Sequence, residues 1–291
     1  MHFDGRNTRQ VTTLSFQETP AARVWRDMVI AERKQTERLR EGAPEQDFWR
    51  RLARRFAPKL TSEQPDPTVA ALARIVKASD TVIDVGAGGG RLAVPLAGLS
   101  ARLVAVEPSE GMRKQLAESA SQHQINNLEV VAADWLAADV RPGDVVLCAH
   151  VLYGIEDISP FVGKLDSHAR RLVAVVMQPR PPISNFYPLW RIVHREHRKA
   201  LPSLPEFLEA LQSWRVCYDV ARLPPADLNL FGDFDEAVDY SMQRLFLAPG
   251  TTKAKRLVEV LREVLVEADV GFRFEWTRPF ETRIVSWEAP P

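Results

Sequence analysis

Apolar residues recur at helical spacing in the first part of the chain, as at Phe48, Leu52 and Phe56. From about residue 80 the pattern changes to short, nearly continuous apolar runs that alternate with helical stretches. Such runs are typical of strands buried on both faces, which occur in parallel sheets with helical crossovers. The runs predict strands over residues 81–85, 102–106, 128–132, 144–148 and 172–177.

The flanking segments complete the predicted architecture. Thr19-Pro20 is a favourable start for a helix that runs towards Gly42, a second helix ends near Pro58, and Asp66-Pro67 begins a third. After the fifth strand we expect helices over 189–199, 205–214, 235–246 and 252–267, a sixth strand over 216–223 and a closing seventh strand over 282–287. The sequence therefore predicts an α/β fold: a mostly parallel seven-stranded sheet flanked by helices, with a helical N-terminal cap over 1–66 and a main domain over 67–291. Within that domain we expect a ligand-binding half over 67–178, a helical insertion over 179–214 and C-terminal helices and strands over 215–291.

Composition narrows the class of protein. Apolar residues make up 45% of the chain, and 38 basic side chains balance 38 acidic ones, giving a net charge of +0. This balance disfavours a general nucleic-acid binder, which carries a strong positive field. Two cysteines provide neither a disulfide framework nor a zinc-ligand set, so we expect no metal site. The first residues lack a signal-peptide pattern and no apolar run is long enough for a bilayer, so we expect a cytoplasmic protein without membrane association.

A glycine-rich turn follows the first predicted strand. Asp84 lies near the end of that strand, and Gly86, Gly88 and Gly90 alternate after it. Glycines at these positions leave bare backbone that a ligand can approach closely. The dinucleotide fingerprint would require a sixth-position glycine where this chain has Arg91, so the spacing argues against a pyrophosphate cradle.

Acidic residues follow the next two strands. Glu107 ends the second strand, where its carboxylate can accept hydrogen bonds from both hydroxyls of a ribose. Asp134 follows the third strand, and the segment 149–157 follows the fourth. With the glycine turn, these features over residues 67–178 make the chain resemble the class I S-adenosylmethionine-dependent methyltransferases of the small-molecule type.

The resemblance implies a Rossmann-like fold, S-adenosylmethionine as cofactor and specific roles for several residues. Asp84 would order the cofactor's ammonium group, Asp134 would accept the adenine amino group, and the neighbouring Trp135 would flank the adenine ring. His150 would face the methionine end. The resulting set of cofactor residues is Asp84, Gly86, Gly88, Glu107, Asp134, Trp135 and His150.

Catalytic candidates come from the segment after strand four. His150 is placed to act as a general base, and the alternative is a wall residue that shapes the pocket or contacts the cofactor. Tyr153 would bind the acceptor, or pack as a helix aromatic. Because methyl transfer is an in-line displacement, alignment in a dry pocket supplies much of the rate, and a base is needed only if the acceptor must lose a proton early.

Acceptor-binding candidates lie after strand five. Trp190, His194 and His197 fall at i, i+4 and i+7 of a predicted helix, with Tyr187 just before it. We expect Tyr187, Trp190 and His194 to contact the acceptor. The arginines and lysine around them, at 191, 195, 198 and 199, form either a solvated basic face or a pocket for an anionic acceptor.

The sequence thus favours an S-adenosylmethionine-dependent methyltransferase that moves a methyl group to a small or medium-sized acceptor. Two alternatives stay open: an RNA or protein methyltransferase, and a non-catalytic module that binds adenosylmethionine. The neutral net charge disfavours a nucleic-acid acceptor. The acceptor atom and the oligomeric state are left open.

Overall fold

A computed structural model describes residues 15–44, 46–58, 66–225, 231–269, 271–279 and 281–289. Its main feature is a seven-stranded sheet of order β3-β2-β1-β4-β5-β9-β6. The strands are β1 Thr81–Val85, β2 Arg102–Val106, β3 Leu128–Val131, β4 Gly143–Ala149, β5 Ala169–Met177, β6 Asp219–Arg222 and β9 Arg283–Glu288. A separate two-stranded sheet pairs β7 Leu265–Glu267 with β8 Phe272–Phe274.

The predicted parallel half of the sheet is confirmed. β1 pairs in parallel with both β2 and β4, and β2–β3 and β4–β5 are also parallel. The predicted bounds of β1 and β2 are correct, whereas β5 begins earlier, at Ala169. The predicted last strand is β9, which runs antiparallel between β5 and β6, so β6 forms that edge of the sheet.

Helices cover both faces of the sheet. Those before β5 are α1 Pro20–Leu39, α2 Pro67–Leu72, α3 Ala93–Ala97, α4 Glu110–Gln122 and α5 Ile158–His168, and those after it are α6 Tyr187–His194, α7 Leu204–Ser213, α8 Phe234–Arg244 and α9 Thr252–Val264. Thr19 caps α1 by accepting a hydrogen bond from the backbone of Ala22. Among the described residues no helix is long and apolar enough to cross a bilayer.

Three expectations about helices are corrected by the structure. The segment with Phe48, Leu52 and Phe56 is a 3-10 helix over Arg50–Phe56. The helix predicted over 189–199 is α6, which ends at His194 because Arg195 adopts the left-handed conformation with φ 61°. The end of the helix predicted over 252–267 is instead β7, because that segment pairs with β8.

Apolar residues form three clusters. Two lie on opposite faces of the large sheet; one contains Trp25, Phe161 and Phe207, and the other contains Leu72, Leu96 and Leu116. The third lies among α6, α8, α9 and β8, away from the sheet. Helices α6, α8 and α9 therefore share a core of their own, whereas α7 and β9 pack in the first cluster. The division into a cap over 1–66 and a domain over 67–291 stays a prediction, and residues 1–14, 45 and 59–65 of that cap lie outside the described ranges.

Candidate functional site

The glycine turn after β1 has the backbone that its sequence requires. The φ values of Gly86, Gly88 and Gly90 are 72°, 56° and 94°. These values lie in the left-handed region, which residues with a Cβ rarely adopt. A Cβ on Gly86 would also lie 2.4 Å from Cγ2 of Val151. At Gly88 a Cβ would make ordinary van der Waals contact with Met112 and Phe56, both at 3.9 Å, so the backbone conformation and not crowding favours glycine there. The turn is thus a cradle of bare backbone at the carboxyl end of β1.

Glu107, at the end of β2, is bonded directly to this turn. Its carboxylate accepts hydrogen bonds from the backbone N–H of Gly88 at 2.8 Å and from that of Ser109 at 2.9 Å. Burial raises the pKa of Glu107 and these two hydrogen bonds oppose the rise. The two oxygens of a carboxylate have further lone pairs, so Glu107 can still accept hydrogen bonds from ligand hydroxyls.

Asp84 is the most deeply buried acidic group of the site, with 2% of its surface exposed. Burial and the nearby negative charge of Glu107 raise its pKa to about 7, against the opposing charge of Arg91. Arg91 is itself ion-paired with Asp66 at 2.5 Å. A cationic ligand group next to Asp84 would stabilise its ionised form, so this position suits an ammonium group.

His150 and Tyr153 lie together beyond β4. His150 has the left-handed φ of 59°, and its backbone N–H donates to Val176 on β5. Its ring is stacked on that of Tyr153, with Nδ1 3.4 Å from the phenolic oxygen. Burial lowers the pKa of His150 to about 3, and the charge of Arg91 adds to this effect. The imidazole is therefore neutral at pH 7 and a weak proton acceptor in this arrangement.

Tyr153 is fixed on its other side. Its oxygen accepts a hydrogen bond from the backbone N–H of Gln178 at 2.8 Å, and burial raises its pKa far above the usual range. The phenol is consequently neutral and positioned by β5, so it orients the imidazole of His150.

A covering segment, residues 46–58, lies over the glycine turn. The carboxylate of Asp47 accepts hydrogen bonds from the hydroxyl of Ser109 at 2.8 Å and from the backbone N–H of Gly111 at 2.9 Å. Burial opposes ionisation of Asp47, but these hydrogen bonds hold its pKa below the usual value. Asp47 thereby joins the covering segment to the first turn of α4, directly after Glu107.

Two glycines allow this close approach. A Cβ on Gly89 would lie 2.7 Å from the carbonyl oxygen of Ala53, and one on Gly111 would lie 2.5 Å from Cα of Arg50. The carbonyl oxygen of Phe56 also accepts a hydrogen bond from the backbone of Arg91 at 3.0 Å. The covering segment and the glycine turn are therefore packed backbone against backbone.

The two candidates after β3 differ in their surroundings. Asp134 is exposed, whereas Trp135 is buried and its indole N–H donates to the carbonyl oxygen of Phe161. Lys164 lies over the same ring. The Trp135 indole thus packs in the core against α5 and holds the Asp134 loop, and its contact with adenine stays a prediction.

The expected acceptor-binding residues do not share one exposed face. Trp190 is 2% exposed inside the third cluster, with Arg198 over its ring at 3.8 Å. His194 is buried and its Nε2 donates to the carbonyl oxygen of Leu245 at 3.0 Å. Because α6 ends at His194, His197 does not continue the helical face. Tyr187 alone of the three candidates lines an open cleft.

The sequence analysis did not predict the contact of Asp47 with α4 or the effect of the Arg91 charge on Asp84. Asp47 acts on groups more than 60 positions away along the chain, the separation to Ser109 being 62, and no local pattern signals such a contact. Arg91 was used only to exclude a dinucleotide cradle. Its place directly after the glycines that follow β1 was the available sign that its charge would act on Asp84.

Comparisons with known proteins identify the fold. Residues 82–170 match the model of a methyltransferase domain family. Crystal structures with the same fold include the YcgJ protein of Bacillus subtilis, which has a TM-score of 0.53 at 12% identity over 77% of this chain and 98% of that one. A candidate methyltransferase of Bacillus halodurans has a TM-score of 0.52 at 16% identity over 78% of this chain and 100% of that one.

Two curated relatives match part of the chain. The ribosomal RNA small subunit methyltransferase A of Thermotoga neapolitana is 26% identical over 147 residues, which is 50% of this chain and 52% of that protein. An uncharacterized protein of Haemophilus influenzae is 30% identical over 100 residues, 34% of this chain and 37% of that protein. The chain thus spans about half or less of the length of these relatives.

Proposed function

We infer that this chain is a class I S-adenosylmethionine-dependent methyltransferase that transfers a methyl group to a small or medium-sized acceptor. One observation carries the proposal. The Glu107 carboxylate at the end of β2 and the backbone of Gly88 after β1 are joined by a 2.8 Å hydrogen bond, within a turn whose three glycines have left-handed φ values. A carboxylate and a bare backbone held this close suit a ribose that carries an amino-acid chain.

The residues present fit the cofactor of this family. Asp84 would hold the ammonium group, the backbone of Gly86 and Gly88 would contact the methionine and ribose, and Glu107 would bind the ribose hydroxyls. Asp134, exposed at the end of β3, would accept the adenine amino group. When bound, S-adenosylmethionine supplies a methyl group on a positively charged sulfur, which keeps the bonding electron pair when the methyl leaves.

The chain's own contribution is alignment and exclusion of water. His150 and Tyr153 would form a neutral wall beside the methionine end, fixed by Gln178 and by the backbone bond to Val176. Holding an acceptor lone pair in line with the methyl group supplies roughly 7–11 kcal/mol of the barrier reduction through proximity and orientation. The lowered pKa of His150 makes it a weak base. Any proton that the acceptor releases would therefore pass to water, either during or after methyl transfer.

A ribosomal RNA acceptor is the second candidate, and the relative from Thermotoga neapolitana is the observation in its favour. The net charge of +0 weighs against it, because an RNA-binding surface needs a positive field. A non-catalytic module that binds the cofactor is the third.

Calorimetric titration with S-adenosylmethionine and S-adenosylhomocysteine tests the proposal, with NADH as the control ligand. We expect micromolar binding of the first two, lost in Asp84→Ala and in Glu107→Ala. Glu118→Ala, an exposed acid further along α4, is the matched control and should bind normally. Binding of NADH instead, or of no ligand by a folded protein, would refute the proposal. Methylation of RNA but of no small acceptor would establish the second candidate.

A further inference from the structure

Two adjoining clefts open on the outer side of α6. The larger, with a volume of about 540 Å³, is lined by Pro188, Arg191, Ile192, Arg195 and Arg256. The smaller, of about 300 Å³, shares Pro188 and Arg191 with it and is completed by Tyr187, His197 and Arg198. We call the two together the arginine cleft. Its charged groups are all cationic.

Three arginines of this cleft lack acidic partners. Within the described part of the chain, no hydrogen bond or ion pair engages the guanidinium of Arg191, Arg195 or Arg256. Arg198 differs, because it is buried, ion-paired with Glu32 and packed on Trp190. The structure therefore uses Arg198 for packing and leaves the other three guanidinium groups facing the cleft. Uncompensated like charges around a concavity attract a counter-ion.

Helix electrostatics do not account for all three. Arg191 and Arg195 lie at the C-terminal end of α6, where a cation is favourable. Arg256, however, lies at the start of the second turn of α9, after a first turn that contains Lys253 and Lys255 and no acidic residue. Cations are unfavourable at a helix N-terminus. The carboxylate of Glu41 lies at this N-terminus, where it accepts from Thr251 and is ion-paired with Lys253, but it does not bond Arg256. A bound anion would compensate the arginine charges.

The arginine cleft is connected to the proposed methyl-transfer site through the backbone. Gln178 donates to Tyr153, and its carbonyl oxygen accepts from Leu204 at 3.2 Å. Three residues before Leu204, the backbone of Leu201 donates to the phenolic oxygen of Tyr187 at 3.4 Å, at the lip of the smaller cleft. The segment 201–204 is therefore hydrogen-bonded both to the end of β5 beside Tyr153 and to the rim of the arginine cleft.

We propose that the arginine cleft binds the carboxylate or phosphate group of the acceptor, so that the acceptor is a small anion. The proposal rests on the proposed function for the identity of the acceptor, but the anion site can be tested without methyl transfer. Guanidinium groups form paired hydrogen bonds with both carboxylate and phosphate oxygens, so either group fits.

The test is calorimetric titration of the full chain with inorganic pyrophosphate and, separately, with citrate, at 0.15 M NaCl. The variants are Arg191→Gln, Arg256→Gln and Arg195→Gly, the last chosen because glycine tolerates the left-handed backbone at that position. Arg141→Gln is the matched control, since Arg141 is exposed and lies before β4 at the opposite end of the sheet.

We expect saturable binding of at least one probe with a stoichiometry near one, weakened at least tenfold in each cleft variant and unchanged in Arg141→Gln. A preference for pyrophosphate indicates a phosphate group, and a preference for citrate indicates a carboxylate. Failure of both probes to saturate, or equal binding by all variants, overturns the proposal. Binding of a 20-nucleotide RNA that the same three variants abolish, with no binding of either probe, also overturns it in favour of a nucleic acid.

A parallel titration with S-adenosylhomocysteine separates the two proposals. Loss of probe binding with normal S-adenosylhomocysteine binding in Arg191→Gln and Arg256→Gln locates the defect in the arginine cleft. If the wild-type chain binds a probe but not S-adenosylhomocysteine, the anion site stands and the proposed function fails.

Discussion

The carboxylate of Glu107 accepts a hydrogen bond from the backbone N–H of Gly88, which ties the end of β2 to the glycine turn after β1. The same carboxylate also accepts from Ser109. One side chain therefore determines the shape of the turn and is available to a ribose. Its structural and its ligand-binding roles can be separated by an amide substitution.

Glu107→Gln should weaken binding of S-adenosylhomocysteine about tenfold, equivalent to about 1.4 kcal/mol. The amide retains one oxygen, so one of the two backbone N–H groups loses its acceptor, and the free energy of unfolding should fall by about 1–3 kcal/mol. Calorimetry and urea denaturation measure the two effects. Glu118→Gln should change neither, and an unchanged affinity in Glu107→Gln would contradict the ribose contact.

Asp84 should make both stability and cofactor binding depend on pH near neutrality. Its pKa of about 7 lies above the unfolded value of 3.8, so the folded state holds the proton more tightly and loses stability as pH rises through this window. Between pH 6 and pH 8 the free energy of unfolding should fall by about 1 kcal/mol from this group. Urea denaturation at both values checks this, and Asp84→Asn should remove the decrease.

Binding of a cationic ligand should make Asp84 favour its ionised form over its protonated form. An ammonium group beside the carboxyl stabilises the ionised form, so the affinity for S-adenosylhomocysteine should rise with pH from 6 to 8 and binding should release a proton. Titration in two buffers of different ionisation enthalpy measures that proton. No proton release at pH 6.5 would show that the ammonium group lies elsewhere.

His150 should stay neutral across the physiological range. Its pKa of about 3 predicts that its imidazole resonances do not shift between pH 5 and pH 8, with His150→Asn used to assign them. Because the folded pKa lies below the unfolded value of 6.5, stability from this residue is lost as pH falls below about 6.5. A midpoint near pH 6.5 by NMR would restore His150 as a candidate base.

Removing the phenolic oxygen of Tyr153 should destabilise the fold. In Tyr153→Phe the buried N–H of Gln178 loses its acceptor, at a cost of about 1–3 kcal/mol. Thermal and urea denaturation measure this loss. Tyr218→Phe is a suitable comparison, since Tyr218 is bonded only to the exposed side chain of Gln212 among the described residues and should be nearly neutral.

Asp47→Ala should loosen the covering segment. Loss of the hydrogen bonds to Ser109 and Gly111 should speed amide exchange across residues 46–58 and raise the dissociation rate of S-adenosylhomocysteine several-fold, as expected from a loss of about 1–3 kcal/mol. Hydrogen-exchange mass spectrometry and stopped-flow measurements test this. Asp139→Ala, at an exposed loop position, is the control. Faster exchange with an unchanged dissociation rate would show that the segment does not limit ligand release.

The sequence predicted the parallel half of the fold because its strands are specified locally. β1 and β2 are mostly apolar runs buried on both sides, and the glycines after β1 have a left-handed backbone that few other residues adopt. Elements set by distant partners were harder to predict. β7 continues the helical pattern of α9, and only its pairing with β8 makes it a strand.

Local sequence patterns indicated single residues near the glycine turn, but they did not indicate contacts between distant segments. Periodicity correctly placed Trp190 and His194 on one face of a helix, but it carries no information on what covers that face. The sequence also did not indicate the end of α6, because Arg195 adopts a left-handed conformation that glycine or asparagine normally occupies. The contact of Asp47 with α4 depends on tertiary structure alone.

The position of β9 has a consequence for synthesis of the chain. β6 contacts the sheet only through β9, and β5 has β9 as its second neighbour. Until residues 283–288 have left the ribosome, β6 has no strand to pair with and the apolar edge of β5 stays open. A nascent chain paused before that point would expose an unpaired edge strand, the kind of surface that chaperones protect from aggregation.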